Sequence, residues 1–273
     1  MNFIKNKRRF LVYVLALLWS LPSFALEVQG LFEIEIVARS EAGEDRSIAL
    51  KQALFAVLER IVIADDIAKI PVVQTMLHDA EHYVKQSHYS LLPADEYAET
   101  DARLFRVQFD EDQVLDVLRK NQVGIWSEIR PETLLWLVVD EGDGKQFYNP
   151  DTMPDFENAL TKIAKLKGIP LIYPLLDIEE QQKVSVNDVL GIAGKNLLSA
   201  SERYDVPAVM AGRMTKQGNC WLSDWQFYFD GKSKQWSSPC LPLKPAISTG
   251  IRGAYDILSN YYGVKPAPTG VAN

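Results

Sequence analysis

The chain has 273 residues, 47% hydrophobic and 24% charged, with 15 Gly and 14 Pro. That globular composition excludes wholesale disorder, a collagen-like repeat and a multi-span membrane protein. Three His, two Cys and no strong catalytic motif leave address and architecture as the main content of the sequence.

Residues 1–25 read as a separate unit. Lys5, Lys7, Arg8 and Arg9 precede the apolar run 10–21, and Pro22-Ser23-Phe24-Ala25 sets small residues three and one positions before a cut after Ala25. This is the pattern of a secretory signal peptide. The apolar run is short of the roughly 20 residues that cross a bilayer, although an uncleaved leader would tether the chain at the inner membrane. No Cys follows the run to take a lipid. Cleavage removes four of 29 basic residues and none of 36 acidic ones, leaving 25 against 36 and a formal charge of −11 on the periplasmic form. Nucleic acid and anionic headgroups need clustered Lys and Arg and are not expected partners. No later segment is long and apolar enough to span a membrane.

In chain order, residues 31–39 alternate with Phe32, Ile34 and Ile36 on one face, as a strand does. Leu50, Ala53, Leu54, Val57, Leu58 and Ile61 recur at helical spacing behind Glu44 and Asp45, which favour a helix start. Pro71 opens a second helix to about residue 86, with Val73, Met76, Leu77, Ala80, Tyr83 and Val84 inward. Strands follow over about 88–97 and 103–109, and Asp110 caps a helix bearing Val114, Leu115, Val117 and Leu118. The first half is β-α-α-β-β-α, of α+β character.

Gly124 to Pro131 is the expected boundary between domains at 26–125 and 126–264, because Gly breaks a helix and Pro131 extends the residue before it. Residues 133–140 form a nearly all-apolar strand covered on both faces. A helix over about 155–167 ends at Gly168, and 169–176 gives another buried strand. A helix capped by Asn187 or Asp188 reaches Tyr204, then come a strand over 208–214, a hairpin, and a closing helix over 247–262. This half reads β-α-β-α-β-β-β-α, so the fold class is α/β in two layered domains. Residues 265–273, rich in Pro and Gly, are expected to be a disordered tail.

Cys220 and Cys240 bracket the hairpin and, in an oxidising compartment, are expected to bond. A strict two-residue Asp230-Gly231 turn would set Cys220 opposite Leu241, one residue out of register. A three- or five-residue loop with a bulge would correct this. A redox-active pair is not expected, since such pairs are usually Cys-x-x-Cys at a helix start.

Several strings carry a resemblance. They are Leu31-Phe32-Glu33-Ile34-Glu35-Ile36-Val37, Ala49-Leu50 with Ala53-Leu54, Val57-Leu58 and Arg60-Ile61, Ala80 with Tyr83-Val84 and Tyr89, and Phe105-Arg106-Val107-Gln108-Phe109-Asp110. Trp126 with Arg130-Pro131 and Leu135-Trp136-Leu137, and Ala200 with Tyr204-Asp205-Val206 and Gly212-Arg213, complete the set. Their order resembles the exported proteobacterial family of unknown function numbered 2066, which implies an envelope protein and supplies no activity. Where that family continues its first helix with Ser-Gly, this chain has Val62-Ile63-Ala64. The second half also looks like small α/β docking domains of envelope proteins, such as the N-terminal domain of TolB and the curli-export lipoprotein. The helix ending in Tyr204-Asp205-Val206, feeding a strand that ends in Gly212-Arg213, carries that likeness.

Candidate chemistry is sparse. His78, Glu81 and His82 match H-x-x-E-H, in which two imidazoles one helical turn apart hold zinc beside a general base. The expected helix puts His78 and His82 on one face, though a solvated polar face explains them as well. Asp140-Glu141-Gly142-Asp143-Gly144-Lys145 after a strand lacks EF-hand spacing and reads as an exposed turn. Glu33, Glu35 and Asp112 offer carboxylate pairs, but any acidic protein does. Trp126, Arg130 and Trp136 are interface-type residues that equally fill a seam between domains, with Arg130 paired to an acid. Trp221 and Trp225 share a hairpin face with Phe227 and Phe229, as core or as a docking surface.

The leading expectation is a non-enzymatic periplasmic accessory or scaffold acting through contacts with envelope proteins, and no motif demands a cofactor. The alternatives are a metal-dependent hydrolase using the His78, Glu81 and His82 cluster, and a small-ligand or peptidoglycan-binding module at the exposed end of the second sheet.

Overall fold

The computed structural model describes residues 30–92, 101–126, 129–190 and 194–265. The expected signal peptide, the expected tail beyond 265 and residues 93–97 of the second expected strand lie outside the described residues. The fold is mixed α/β, with a three-stranded antiparallel sheet and a six-stranded mixed sheet in two regions.

In the first region, strand β1 (Glu33–Ala38) leads into helix α1 (Gly43–Ile61), whose stripe from Ala49 to Ile61 is buried as its spacing requires. After a 3₁₀ turn at Ile67–Lys69, Pro71 opens α2 (Pro71–His78). This helix was expected to reach residue 86 but stops at His78. Asp79 leaves helical geometry at φ −114° and ψ 44°, a 3₁₀ turn takes Ala80–Tyr83, and Val84 already belongs to strand β2 (Val84–Ser90). Sheet pairing wins locally: Val84 lies opposite Phe109 of β3 (Arg103–Phe109), and the Tyr83 carbonyl accepts from Asp110 N–H at 2.8 Å. Asp110 then caps α3 (Glu111–Lys120) by accepting from Gln113 N–H at 3.0 Å. The strand order β1-β3-β2 sets Phe105, Val107 and Phe109 in the same core as α1.

The second region is a three-layer sandwich. Its sheet runs β5 (Lys145–Phe147), β4 (Thr133–Asp140), β7 (Ala208–Gln217), β8 (Cys220–Phe229), β9 (Lys232–Leu241), with β6 (Leu171–Ile172) also beside β4. Strands β4 and β7 are parallel and the others antiparallel, apart from the short parallel β6. Helices α4 (Pro154–Lys167) and α7 (Leu243–Tyr262) share a core with Leu135, Leu137, Val139, Trp225 and Phe227. Helix α6 (Lys195–Ser201) packs on the opposite face, with Leu134, Trp136, Val138, Val209 and Ala211. Glycines bring α7 close to the sheet: a Cβ at Gly250 would lie 2.4 Å from the Trp225 ring, and one at Gly253 2.3 Å from Trp236.

Three expectations fail here. The strand expected over 169–176 shrinks to two residues, because Pro170 and Pro174 flank it and cannot donate to a ladder. The single helix expected from 187 or 188 to Tyr204 is not found as such: a short α5 (Ile178–Lys183) precedes its expected start, α6 begins only at Lys195, and Glu202–Tyr204 form a 3₁₀ turn. Asp188 closes a local turn by accepting from Ser185 N–H and Oγ, and Gly194 sits at φ 52°, so the pattern cannot propagate. The hairpin keeps the strict Asp230-Gly231 turn, at φ 52° and 67°, with Phe229 opposite Lys232. The longer loop is thus wrong. The register shift lies at the other end, where Trp221 faces Leu241 and Ser223 faces Ser238, so that Pro239 and Cys240 bulge against Leu222; Cys220 and Cys240 form a disulfide there at a Cα separation of 5.3 Å without being directly opposed.

Ile125 joins the regions, forming isolated β-bridges with both Val62 and Val264.

Candidate functional site

Where the regions meet, the C-terminal ends of α1 and α4 converge, and each presents backbone carbonyls that no helix bond satisfies. Two buried guanidiniums take them up. Arg60 donates to the carbonyls of Gly30, Leu31, Glu33 and Leu166. Arg130 donates to those of Arg60 and Trp126 at 2.7 and 2.6 Å, and more distantly to Lys167 and Gly168. It also stacks 3.6 Å from the Trp126 ring centroid. No carboxylate pairs with either head among the described residues. The expectation that Arg130 pairs with an acid is therefore corrected: its counter-charge is the negative end of two helix dipoles. Burial lowers both guanidiniums to about 10, which leaves them charged at neutral pH.

Above this junction lies a cleft of about 830 Å³. Leu31, Arg60, Gly168 and Ile169 contribute to its lining, Glu33, Glu35 and Arg106 form one wall, and Glu157, Thr161, Lys165 and Tyr173 the other. Its carboxylates are engaged. Arg106 bridges Glu33 at 3.4 Å and Glu35 at 2.7 Å, while Glu157 accepts from Tyr148 Oη and, at 2.7 Å, from Thr161 Oγ1. Burial pushes the Tyr148 and Tyr173 phenols up, with Glu157 adding to both shifts, so at neutral pH they are uncharged donors. Paired charges, neutral hydroxyls and an apolar floor suit recognition of a polar chain. A second cleft, of about 540 Å³, lies beside the β8–β9 turn and is lined by Val206, Pro207, Tyr228 and Lys232 among others.

The residues singled out from sequence are scattered. His78 ends α2 and His82 lies in the following 3₁₀ turn, so they are not one turn apart on a continuous helix, and Glu81 pairs with Arg46 at 2.9 Å. Among the described residues no group of three or more His, Cys, Asp and Glu could hold a metal. Trp126, Arg130, Trp136, Trp221 and Trp225 are all buried and present no docking surface of their own. Trp126 does stand at the junction, against Tyr255, but Trp136 lies on the far face of the second sheet and donates to Ser201 Oγ at 3.0 Å. The Asp140 to Lys145 stretch is an exposed hairpin turn, in which Asp140 accepts from Gly142 N–H. Asp112 sits in the first turn of α3, apart from Glu33 and Glu35.

The cleft residues escaped notice because they are dispersed in sequence. One signal was available: Arg60 continues the apolar stripe of α1, and a cation on such a stripe must find buried acceptors.

Comparison with known proteins adds little chemistry. Residues 25–127 match a family model described as a domain of unknown function (DUF8605). Its number differs from that of the family the motifs resemble, and the match covers only the first region and the start of the link to the second. No curated protein matches the chain. Among solved structures, the C-terminal domain of LpoB from Salmonella enterica is distantly similar, at 15% identity and a TM-score of 0.25, over 40% of this chain and 82% of that one. Protein VC0702 from Vibrio cholerae is similar at 14% identity and a TM-score of 0.22, over 47% and 72%. No helix among the described residues is long and apolar enough to cross a membrane.

Proposed function

We propose that this protein is a periplasmic accessory or scaffold component of the bacterial envelope, exported by its N-terminal leader and acting through contacts with another envelope protein. The cleft between the two regions supports this reading. Its acidic side chains are engaged by Arg106, Tyr148 and Thr161, an arrangement that recognises rather than transforms a bound chain. The Cys220–Cys240 bond fits an oxidising compartment. A photo-crosslinking residue at Thr161, introduced in intact cells, is expected to capture one saturable envelope partner. Capture of only abundant bystanders, unchanged on raising expression, refutes the reading.

A further inference from the structure

Among the described residues four sheet edges face outward, and three of them are guarded against pairing. β9 carries Lys232, Lys234 and Pro239, and β2 carries Lys85 at a register shift. The edge beside β4 is held by strands of only three and two residues. Charged side chains, lysine above all, proline, bulges and short strands are the usual means of stopping a sheet from recruiting another chain. Of these β1 has only the carboxylates of Glu33 and Glu35. Its six residues, Glu33-Ile34-Glu35-Ile36-Val37-Ala38, pair with β3 in unbroken register. The charges of Glu33 and Glu35 are drawn onto Arg106.

The direction of the free groups follows from one bond. Phe109 N–H donates to the Phe32 carbonyl at 2.8 Å, and Phe32 and Phe109 continue the register that pairs Ile34 with Val107. In an antiparallel ladder such directly opposed partners alternate with pairs whose groups point away. Ile34, Ile36 and Ala38 therefore bond to β3, whereas Glu33, Glu35 and Val37 turn their N–H and C=O outward. Glu33 is already served, its N–H by the Gly30 carbonyl and its own carbonyl by Arg60. Glu35 and Val37 remain, and Glu35 lines the cleft.

We infer that β1 accepts an extended segment of a partner protein as an added strand, and that the segment carries an apolar residue and a Lys or Arg two positions apart. The inference rests on the docking reading above and specifies its mode. Its charge requirement comes from the ion pairs of β1: Glu33 and Glu35 share one guanidinium, Arg106, so a cation placed opposite Glu35 balances two carboxylates held by one charge. The apolar residue meets Val37, which is 46% exposed on the same face. Alternate side chains of the added strand enter the cleft, where Lys165 and Thr161 stand opposite.

The probe is a capped seven-residue peptide, Thr-Val-Thr-Lys-Thr-Val-Thr, titrated into the purified disulfide-bonded protein while amide hydrogen exchange is followed residue by residue. Exchange at Glu35 and Val37 is expected to slow at least tenfold, with Ile34 and Ile36 unchanged, and replacing the peptide's Lys by Glu is expected to weaken binding at least fivefold. Val37→Pro removes an outward N–H that the fold does not use and should abolish the protection. Glu35→Pro, compared with Glu35→Gln so that loss of the carboxylate on Arg106 is separated from loss of the N–H, serves at the neighbouring free position should Val37→Pro alter the melting curve. No slowing at millimolar peptide, slowing that persists in a folded proline variant, or equal binding of the Lys and Glu peptides overturns the inference. Saturable crosslinking from Thr161 together with unprotected Glu35 and Val37 refutes strand addition alone, whereas failure of both refutes the docking reading as well.

Discussion

Replacing Arg130 by Met tests the junction most directly. The side chain keeps much of its length but loses two short charge-assisted bonds, to the carbonyls of Arg60 and Trp126, each worth about 1.5–3 kcal/mol. It also loses its stack on Trp126, about 2 kcal/mol for a desolvated pair. Against this, burial lowers the guanidinium from its ordinary value to about 10, which corresponds to about 3 kcal/mol of burial cost that Met does not carry. Its Nε is buried without a partner, so that atom loses nothing. The balance is a loss of roughly 2–5 kcal/mol. Urea unfolding followed by tryptophan fluorescence measures it, with Trp126 as a local reporter. Because the carbonyls come from both α1 and the link between regions, the variant should also unfold in two separable steps. A variant within about 0.5 kcal/mol of the parent, still unfolding in one step, would show that hydrophobic packing alone holds the junction and that the carbonyls find other donors.

Three further outcomes follow from the packing and ionisation. Cys220→Ser with Cys240→Ser should lower stability by about 3 kcal/mol, given 20 residues of separation, as read by melting under oxidising conditions. Gly250→Ala should destabilise by about 2 kcal/mol or more in thermal melts, although Ala is the better helix former, because its Cβ would fall 2.4 Å from Trp225; a stabilised variant would mean α7 can lift freely. Tyr255, whose hydroxyl donates to the Val62 carbonyl at 3.1 Å, is pushed up to about 12 by burial. Its folded value lies above the unfolded one near 10, so its contribution is complete below pH 10 and is lost as pH rises through 12, by up to about 3 kcal/mol. The stability advantage over Tyr255→Phe should therefore shrink in urea titrations from pH 9 to 11, and a constant gap would refute the shift.

Much of the architecture was legible because it rests on local periodicity. The α1 stripe, the nearly all-apolar β4 and the alternation of Trp221, Trp225, Phe227 and Phe229 each state which faces are inward, and the structure places them so. Gly168 ended its helix as expected, at φ 63°. The failures occur where a tertiary bond outcompetes a local preference. α2 yields to β2 because β3 offers Val84 a ladder, and the stretch after Asp177 breaks because Asp188 and Glu180 hold backbone N–H groups in turns. In the hairpin the bulge expected beside a longer loop lies instead at the cysteine end, at Pro239 and Cys240, and the two-residue Asp230-Gly231 turn is kept. Of the cleft only Arg60, a cation on the apolar stripe of α1, left a trace in the sequence, since the walls come from β1, β3, α4 and the strand after it, and nothing in a linear pattern reports that juxtaposition.

The bridges at Ile125 bear on the order of assembly. This residue is flanked by Val62, made about sixty positions earlier, and by Val264, which follows the entire second sheet. Until the last helix has emerged, one side of that strip lacks its mate, and the apolar surface around Ile63 and Trp126 lacks its cover from Tyr255 and Gly263. A chain that emerges N-terminus first would thus hold its first region incomplete until its end is free. The final twenty residues of the fold act as a latch, and shortening α7 should leave a partly folded chain that proteases recognise even though every residue of the first region is present.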